Sequence, residues 1–256
     1  MLSTLFCNGT GCLPMMPTAA WADEGGVSYI NEAGEEATQA GCVSLTEKGF
    51  ENLVYGGEAW YVADKDITAT SSFLVIGTVN LILCDGVTVE LKNGLSINGD
   101  NENPATLNIY RQQGGTGTLE VVSTNYSDAG IGNNSGKADT VSNLNIYGGS
   151  ITATGAWFPA MSSSQNFCGA GIGTAANHRY NNTMNVSIYG GTVTAKAGGS
   201  GAAAIGKGTN AIGTVNVTIA KCEDHKWEYT HENDAEHHSK KCSLCGFQGG
   251  ERNSQL

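Results

Sequence analysis

The chain copies itself. "TLNIY" (Thr106–Tyr110), "NLNIYGGSITATG" (Asn143–Gly155) and "NVSIYGGTVTAKA" (Asn185–Ala197) are versions of one segment, and a partial version, "GTVNVTIAK", runs from Gly213 to Lys221. A second landmark follows each of the first three: "AGIG" from Ala129, "AGIG" from Ala170 and "AAIG" from Ala203. Repetition of this kind constrains a fold more than local propensity does, because each unit must bury its apolar face against the next. Tyr110, Tyr147 and Tyr189 mark the interval, at 37 and 42 residues. The repeat also disposes of a near-miss. "GAAAIGKG" (Gly201–Gly208) stops one residue short of a phosphate-binding loop, with Gly208 where a Ser or Thr must reach Mg²⁺. Its sister copies, "AGIGNN" and "AGIGTA", lack the lysine, so the stretch reads as a repeated glycine-rich turn with Lys207 in solvent.

Within each copy the apolar period is two. Leu144 and Ile146 point one way while Asn143, Asn145 and Tyr147 point the other, and Ile151 and Ala153 resume the inward row. Val79, Leu81 and Leu83, then Val87, Val89 and Leu91, alternate in the same manner upstream. Short alternating runs separated by Gly and Asn are strands and turns, and no stretch carries a helical stripe. The expected class is all-β. A sandwich would also show many short strands, but recurrence of the same strand and turn favours a solenoid, here a parallel β-helix. Forty residues is long for one coil, so each repeat is expected to hold two coils of about twenty residues, about 4.8 Å apart. The three tyrosines then fall in alternate coils, facing outward about 9.6 Å apart.

Together with "WYVADKDIT" (Trp60–Thr68), "VNLILCDGVTVEL" (Val79–Leu91) and "LNIYRQQGGTGTLEV" (Leu107–Val121), these copies resemble secreted right-handed parallel β-helix repeat proteins of gut-type anaerobic bacteria, described as carbohydrate-binding-like. The resemblance covers roughly Tyr29 to Ala220 and implies the fold; that group has no agreed catalytic residue set. The expected organisation is a signal-like segment over 1–22, a cap over 23–68 that closes the first coil, the β-helix over 69–220, and a distinct module over 221–256.

Ala20-Trp21-Ala22 has the small-x-small form of an export cleavage site, although no Lys or Arg precedes it. The expected localisation is secreted or cell-surface, with a truncated or misassigned start. A net charge of −11 disfavours nucleic acid, and no 18-residue apolar run predicts a membrane span. Cys42, Cys84 and Cys168 form no even-numbered framework; Cys84 reads as a small buried apolar residue.

After Ala220 the texture changes: residues 221–256 hold 12 charged residues and all the histidines except His178. Cys242-x-x-Cys245-Gly and Cys222-x-x-His225 are two local pairs, with His237 and His238 just before Cys242. Such pairs suit tetrahedral Zn²⁺ in a structural role. The segment resembles small zinc-ribbon-like modules at the ends of exported bacterial proteins. That resemblance implies His225, His237 or His238, Cys242 and Cys245 as ligands, with Cys222 spare and Trp227 packed over the site. The module is expected to be cut short at "ERNSQL".

Parallel β-helices include polysaccharide lyases, which need an acidic cluster and a base to take a proton α to a uronate carboxylate. Asp85, Glu90, Asp100 and Glu102, with Arg111, Arg179 and Lys207, are scattered along the sequence, and Gly replaces Arg111 in the other copies. His178 reads as an exposed loop residue. A carbohydrate-active enzyme is therefore the alternative, and a non-catalytic glycan-binding or adhesin-like scaffold, acting as a monomer, is the expected function. Its ligand would be a polysaccharide or a surface protein. Tyr110, Tyr147 and Tyr189 would supply stacking faces and Asn145, with Asn143, Asn185 and Thr106, hydrogen bonds. The competing role for these tyrosines is to pack over their own Gly-Gly corners.

Overall fold

The computed structural model describes residues 26–220 except 52, 101, 135, 137 and 160–165, and beyond them the backbone of 227–231, 238–242 and 248–249. Every regular element among these residues is a β-strand. A hairpin of Val27–Ile30 (β1) and Glu36–Gln39 (β2) comes first, then Val43–Ser44 (β3). From there the chain runs in circuits of three strands. The first is Glu58–Ala63 (β4), Ile67–Ala69 (β5) and Phe73–Val75 (β6). The second is Thr78–Leu83 (β7), Thr88–Leu91 (β8) and Leu95–Ile97 (β9); the third is Ala105–Arg111 (β10), Thr118–Val122 (β11) and Ile131–Asn133 (β12).

The fourth circuit has Val141–Ile146 (β13) and Ser150–Thr154 (β14), an inserted antiparallel pair Trp157–Phe158 (β15) and Phe167–Cys168 (β16), and Ile172–Thr174 (β17). Thr183–Ile188 (β18), Thr192–Lys196 (β19) and Ile205–Gly206 (β20) form the fifth, and Thr214–Ile219 (β21) opens a sixth. A separate antiparallel sheet comprises Trp227–His231 (β22), His238–Cys242 (β23) and Gln248–Gly249 (β24).

First strands of successive circuits pair in parallel with one another, as do second strands and third strands, giving three long parallel sheets. Period-two alternation explains the register. Val79, Leu107, Leu144, Val186 and Val217 form one column of the first sheet, and Leu81, Ile109, Ile146, Ile188 and Ile219 the next. Ile67, Val89, Leu119, Ile151 and Val193 align in the second sheet, and Phe73, Leu95, Ile131, Ile172 and Ile205 in the third. These rows meet in one apolar core. At its start Phe50 packs edge-on against Tyr61 and Phe73, with ring centroids 5.0 and 5.6 Å away. At its end burial fades: Val217 is 44% and Ile219 65% exposed.

Two sequence expectations are corrected. Each repeat is one circuit, not two coils, because β10, β13 and β18, which contain or immediately precede the three tyrosines, are direct neighbours. In-register partners in the first sheet lie 20, 28, 37, 42 and 31 residues apart along the chain, since the connections vary in length more than the strands do. The "GIG" landmark is also a strand of the third sheet rather than a turn. A Cβ on Gly132 would lie 1.9 Å from the Gly173 carbonyl oxygen, and one on Gly173 1.8 Å from that of Gly206. Glycine is the only residue that lets these strands come so close. The first circuit begins at Glu58.

Candidate functional site

The outer face of the first sheet gathers the residues singled out for binding. Each tyrosine follows the last inward isoleucine of its strand and precedes a Gly-Gly corner or Arg111. The amides of Tyr147 and Tyr189 donate to the carbonyls of Ile109 and Ile146, both at 2.8 Å, which places each ring beside the one before. Tyr110 and Tyr147 stack with centroids 5.0 Å apart and planes within 8°; Tyr147 and Tyr189 repeat this at 4.9 Å and 6°. Trp60 extends the stack at the other end, 5.3 Å from Tyr110. The spacing of about 9.6 Å expected from two-coil repeats is therefore halved. At this distance the inner rings cover one another's faces, and each pair adds about 0.5–1.5 kcal/mol beyond burial.

The hairpin β1–β2 covers one end of the row. Ile30 pairs with Arg111, and the Tyr29 ring lies edge-on to Tyr110 at 5.1 Å and tilted against Trp60 at 5.2 Å. The Tyr110 hydroxyl donates to Glu32 Oε1. Tyr110, expected to face solvent, is only 2% exposed, whereas Tyr147 is half-buried and Tyr189 is 42% exposed. Burial, with the Glu32 hydrogen bond and charge, raises the Tyr110 phenol far above its ordinary range; burial pushes Tyr147 up to about 12.

The asparagines form two ladders, which alternation alone did not disclose. Asn145 Nδ2 donates to Asn108 Oδ1 at 2.8 Å, Asn108 to Asn80 at 2.8 Å, and Asn80 to Glu58 Oε1 at 2.7 Å. Asn216 donates to Asn185, Asn185 to Asn143 and Asn143 to Thr106 Oγ1, over 2.9, 2.8 and 3.1 Å. Asn145, expected to meet a ligand, thus directs its amide along the sheet. The recurrence of Asn at one outward register was the available signal.

At the exposed end the row stops at a small residue. Ala220 donates its amide to the Ile188 carbonyl at 2.9 Å and so follows Tyr189 in register. The outer face of Tyr189 therefore opens over a methyl group, with Ser187 and Thr218 paired on the same side of the sheet. Among the described residues, this ring face is the least covered part of the tyrosine row.

Four of the scattered catalytic candidates hold local contacts, while Arg179 and Lys207 are exposed. Asp85 closes a corner, accepting from the amides of Gly114 (2.8 Å) and Thr116 (3.0 Å). Asp100 Oδ1 accepts from the amides of Glu102 and Asn103, and Glu90 lies 3.3 Å from Lys92. Arg111 is 6% exposed and donates to the carbonyls of Gln112 and Gln113. His178, expected in solvent, is 6% exposed, because connections of neighbouring circuits pack around it: Asn177 N donates to Thr209 O and Ile212 N to His178 O, and its Nε2 lies 3.3 Å from Asn182 Nδ2. Cys42 and Cys168 are buried free thiols; Cys84, expected buried, is half-buried, and desolvation helps push it up to about 11.

Among the described residues no three His, Cys, Asp or Glu side chains converge on a metal position. Of the expected zinc ligands, Cys222, His225, His237 and Cys245 lie outside the described residues. His238 and Cys242 are the terminal residues of β23, opposite His231 and Trp227 of β22. Compared with protein-family models, curated proteins and solved structures, the chain matches none.

Proposed function

We propose that this chain is a right-handed parallel β-helix working outside the cell as a non-catalytic scaffold that binds polysaccharide. The observation that carries the reading is the open face of Tyr189. It ends a rigid aromatic row, stands over Ala220, and has the hydroxyls of Ser187 and Thr218 beside it. An aromatic face takes the C–H face of a sugar ring, and flanking hydroxyls exchange hydrogen bonds with sugar hydroxyls. A scaffold of fixed strand spacing needs no movement to present such a surface, so little ordering free energy opposes binding.

Retention of the mature protein on immobilised polysaccharides tests this. Tyr189→Ala is expected to abolish retention at a melting temperature within a few degrees of the parent. Unchanged retention, or a melting loss with no binding defect, assigns the row to packing and leaves a surface-protein partner as the reading to pursue.

We also propose that residues 221–256 hold one structural zinc ion, through His225, Cys242, Cys245 and either His238 or His237, with Cys222 the alternate. The spacing of Cys242 and Cys245 supports it, and the β22–β24 sheet gives the segment a frame. The ion would tie the ends of a sheet too small to have much core of its own. Elemental analysis of the full chain is expected to give one zinc per molecule, lost in Cys242→Ser.

A further inference from the structure

The stacked circuits close one end of their core and leave the other open. Ahead of the first circuit, Leu45 and Phe50 are 1% and 8% exposed, so the chain itself covers the starting layer. At the far end the inward columns lose their cover. Val186 is buried, whereas Val217 and Ile219, one circuit on in the columns of Val186 and Ile188, are exposed. In the second and third sheets Ile151, Ala153 and Ile172 are fully buried, but their partners Val193, Ala195 and Ile205 are only half-buried. β19 and β20 are the last strands of their sheets, as β21 is of the first, so among the described residues nothing pairs with their outer edges. A groove of about 800 Å³ opens beside β20 and β21, lined in part by Ala203, Gly206, Lys207, Ala211 and Val215.

An end in this state forgoes burial of its core residues, and its bare strand edges pair with any strand that reaches them. The chain's own continuation is the occupant that position, length and charge favour. In each earlier circuit the first strand gives way, after a corner of three to six residues, to a second strand on the second sheet. Ala220 stands at that departure point: its amide donates to the Ile188 carbonyl, so the chain goes on from the open end itself. The 36 residues that follow match the 20 to 42 that one circuit takes. Over 181–220 the only charged side chains are Lys196 and Lys207, both exposed. Residues 223–236 hold six carboxylates against one lysine, and β22 within them carries Trp227 and Tyr229. A second copy docked end to end would bring the same two lysines to this face and be opposed by them.

We propose that residues 221–256 fold back over this end as its cap, covering Val193, Val217 and Ile219 and setting the carboxylates of 223–236 beside Lys196 and Lys207. Tyr189 stands on the outer face of the first sheet, outside the covered core, and the cap requires neither glycan nor zinc. An equal mixture of unlabelled and heavy-isotope-labelled full chain, treated with a water-soluble carbodiimide, tests it. The reagent joins an amine to a carboxylate only where the two meet, and the ion pair of Lys92 and Glu90, 3.3 Å apart, is its control. Links from Lys196 or Lys207 to 223–236 are expected, with both linked peptides carrying the same isotope. Mixed-isotope links would place a second copy on this end, and no link where the control pair reacts would leave the end open; either result overturns the proposal. Melting gives a second reading. Ile219→Asp puts a charge beneath the cap and is expected to melt at least about 5 °C below Thr218→Asp, whose site on the same strand faces outward. Equal melting of the two variants also overturns it.

Discussion

At Gly173 a single hydrogen atom decides whether two strands can touch. Its absent Cβ would lie 1.8 Å from the carbonyl oxygen of Gly206, and the clash is with backbone, which cannot swing aside. Gly173→Ala must push β17 and β20 apart, and the expected cost is about 4 kcal/mol or more, the upper range for a point substitution. Gly136→Ala, where nothing lies within 4 Å of the added carbon, is the control and is expected to be neutral. Urea denaturation of both variants measures the difference. The repeated glycine was plain in the sequence, but its meaning was not: low strand propensity makes "GIG" read as a turn, and the atom that excludes a side chain comes from another circuit. Asp128 offers a second test at this scale. Burial raises its carboxyl above the ordinary 3.8, despite the Asn125 hydrogen bond and the His178 charge. The folded chain then holds that proton more tightly than the unfolded chain, so stability is lost as pH rises through the raised value. Asp128→Asn is expected to melt higher than the parent at pH 7, with the gain gone below about pH 4.

The elements of the first sheet are joined on their outer side by amide ladders as well as by the aromatic row and the apolar cluster of Cys42, Val62, Ile82 and Tyr110. Asn108 sits mid-ladder, donating to Asn80 and accepting from Asn145, and it is half-buried. Asn108→Ala breaks both rungs and leaves two amides short of a partner, at an expected cost of about 2 kcal/mol. Asn216 ends the other ladder in an exposed position, and Asn216→Ala is expected to cost under about 0.5 kcal/mol. Equal melting losses would mean that the ladders contribute nothing beyond solvation. The inward half of these strands was legible, since Leu144, Ile146 and Ile151 needed only their period. The outward half was not. An outward Asn or Tyr looks alike whether it meets solvent, a ligand or its own copy one strand away, and the choice depends on how many residues make a circuit. Circuits of 20 to 42 residues hide that number, because length was added in the connections and in the β15–β16 insertion while the strands stayed fixed.

For the whole molecule, buried phenols and thiols are expected to limit stability in alkali. Burial raises the ionisations of Tyr29, Tyr61, Tyr110 and Tyr147 above the ordinary phenol value of 10.0, and those of Cys42 and Cys84 above the ordinary thiol value of 9.0. In every case the folded chain keeps a proton that the unfolded chain gives up sooner. Their contribution is complete below about pH 9 and is withdrawn as pH climbs, first past the thiols, then past the phenols, with Tyr147 yielding near 12. The melting temperature is therefore expected to stay level from pH 7 to about 9 and to fall with increasing slope up to 12. Tyr110→Phe separates this cause from general repulsion in a chain already at −11. It gives up the hydrogen bond to Glu32 and should melt lower at pH 8, yet it removes a strongly shifted phenol and should lose less between pH 10 and 12. Crossing or converging curves are the expected result. Curves that stay parallel would show that the buried tyrosines are bystanders and that net charge alone drives the alkaline transition.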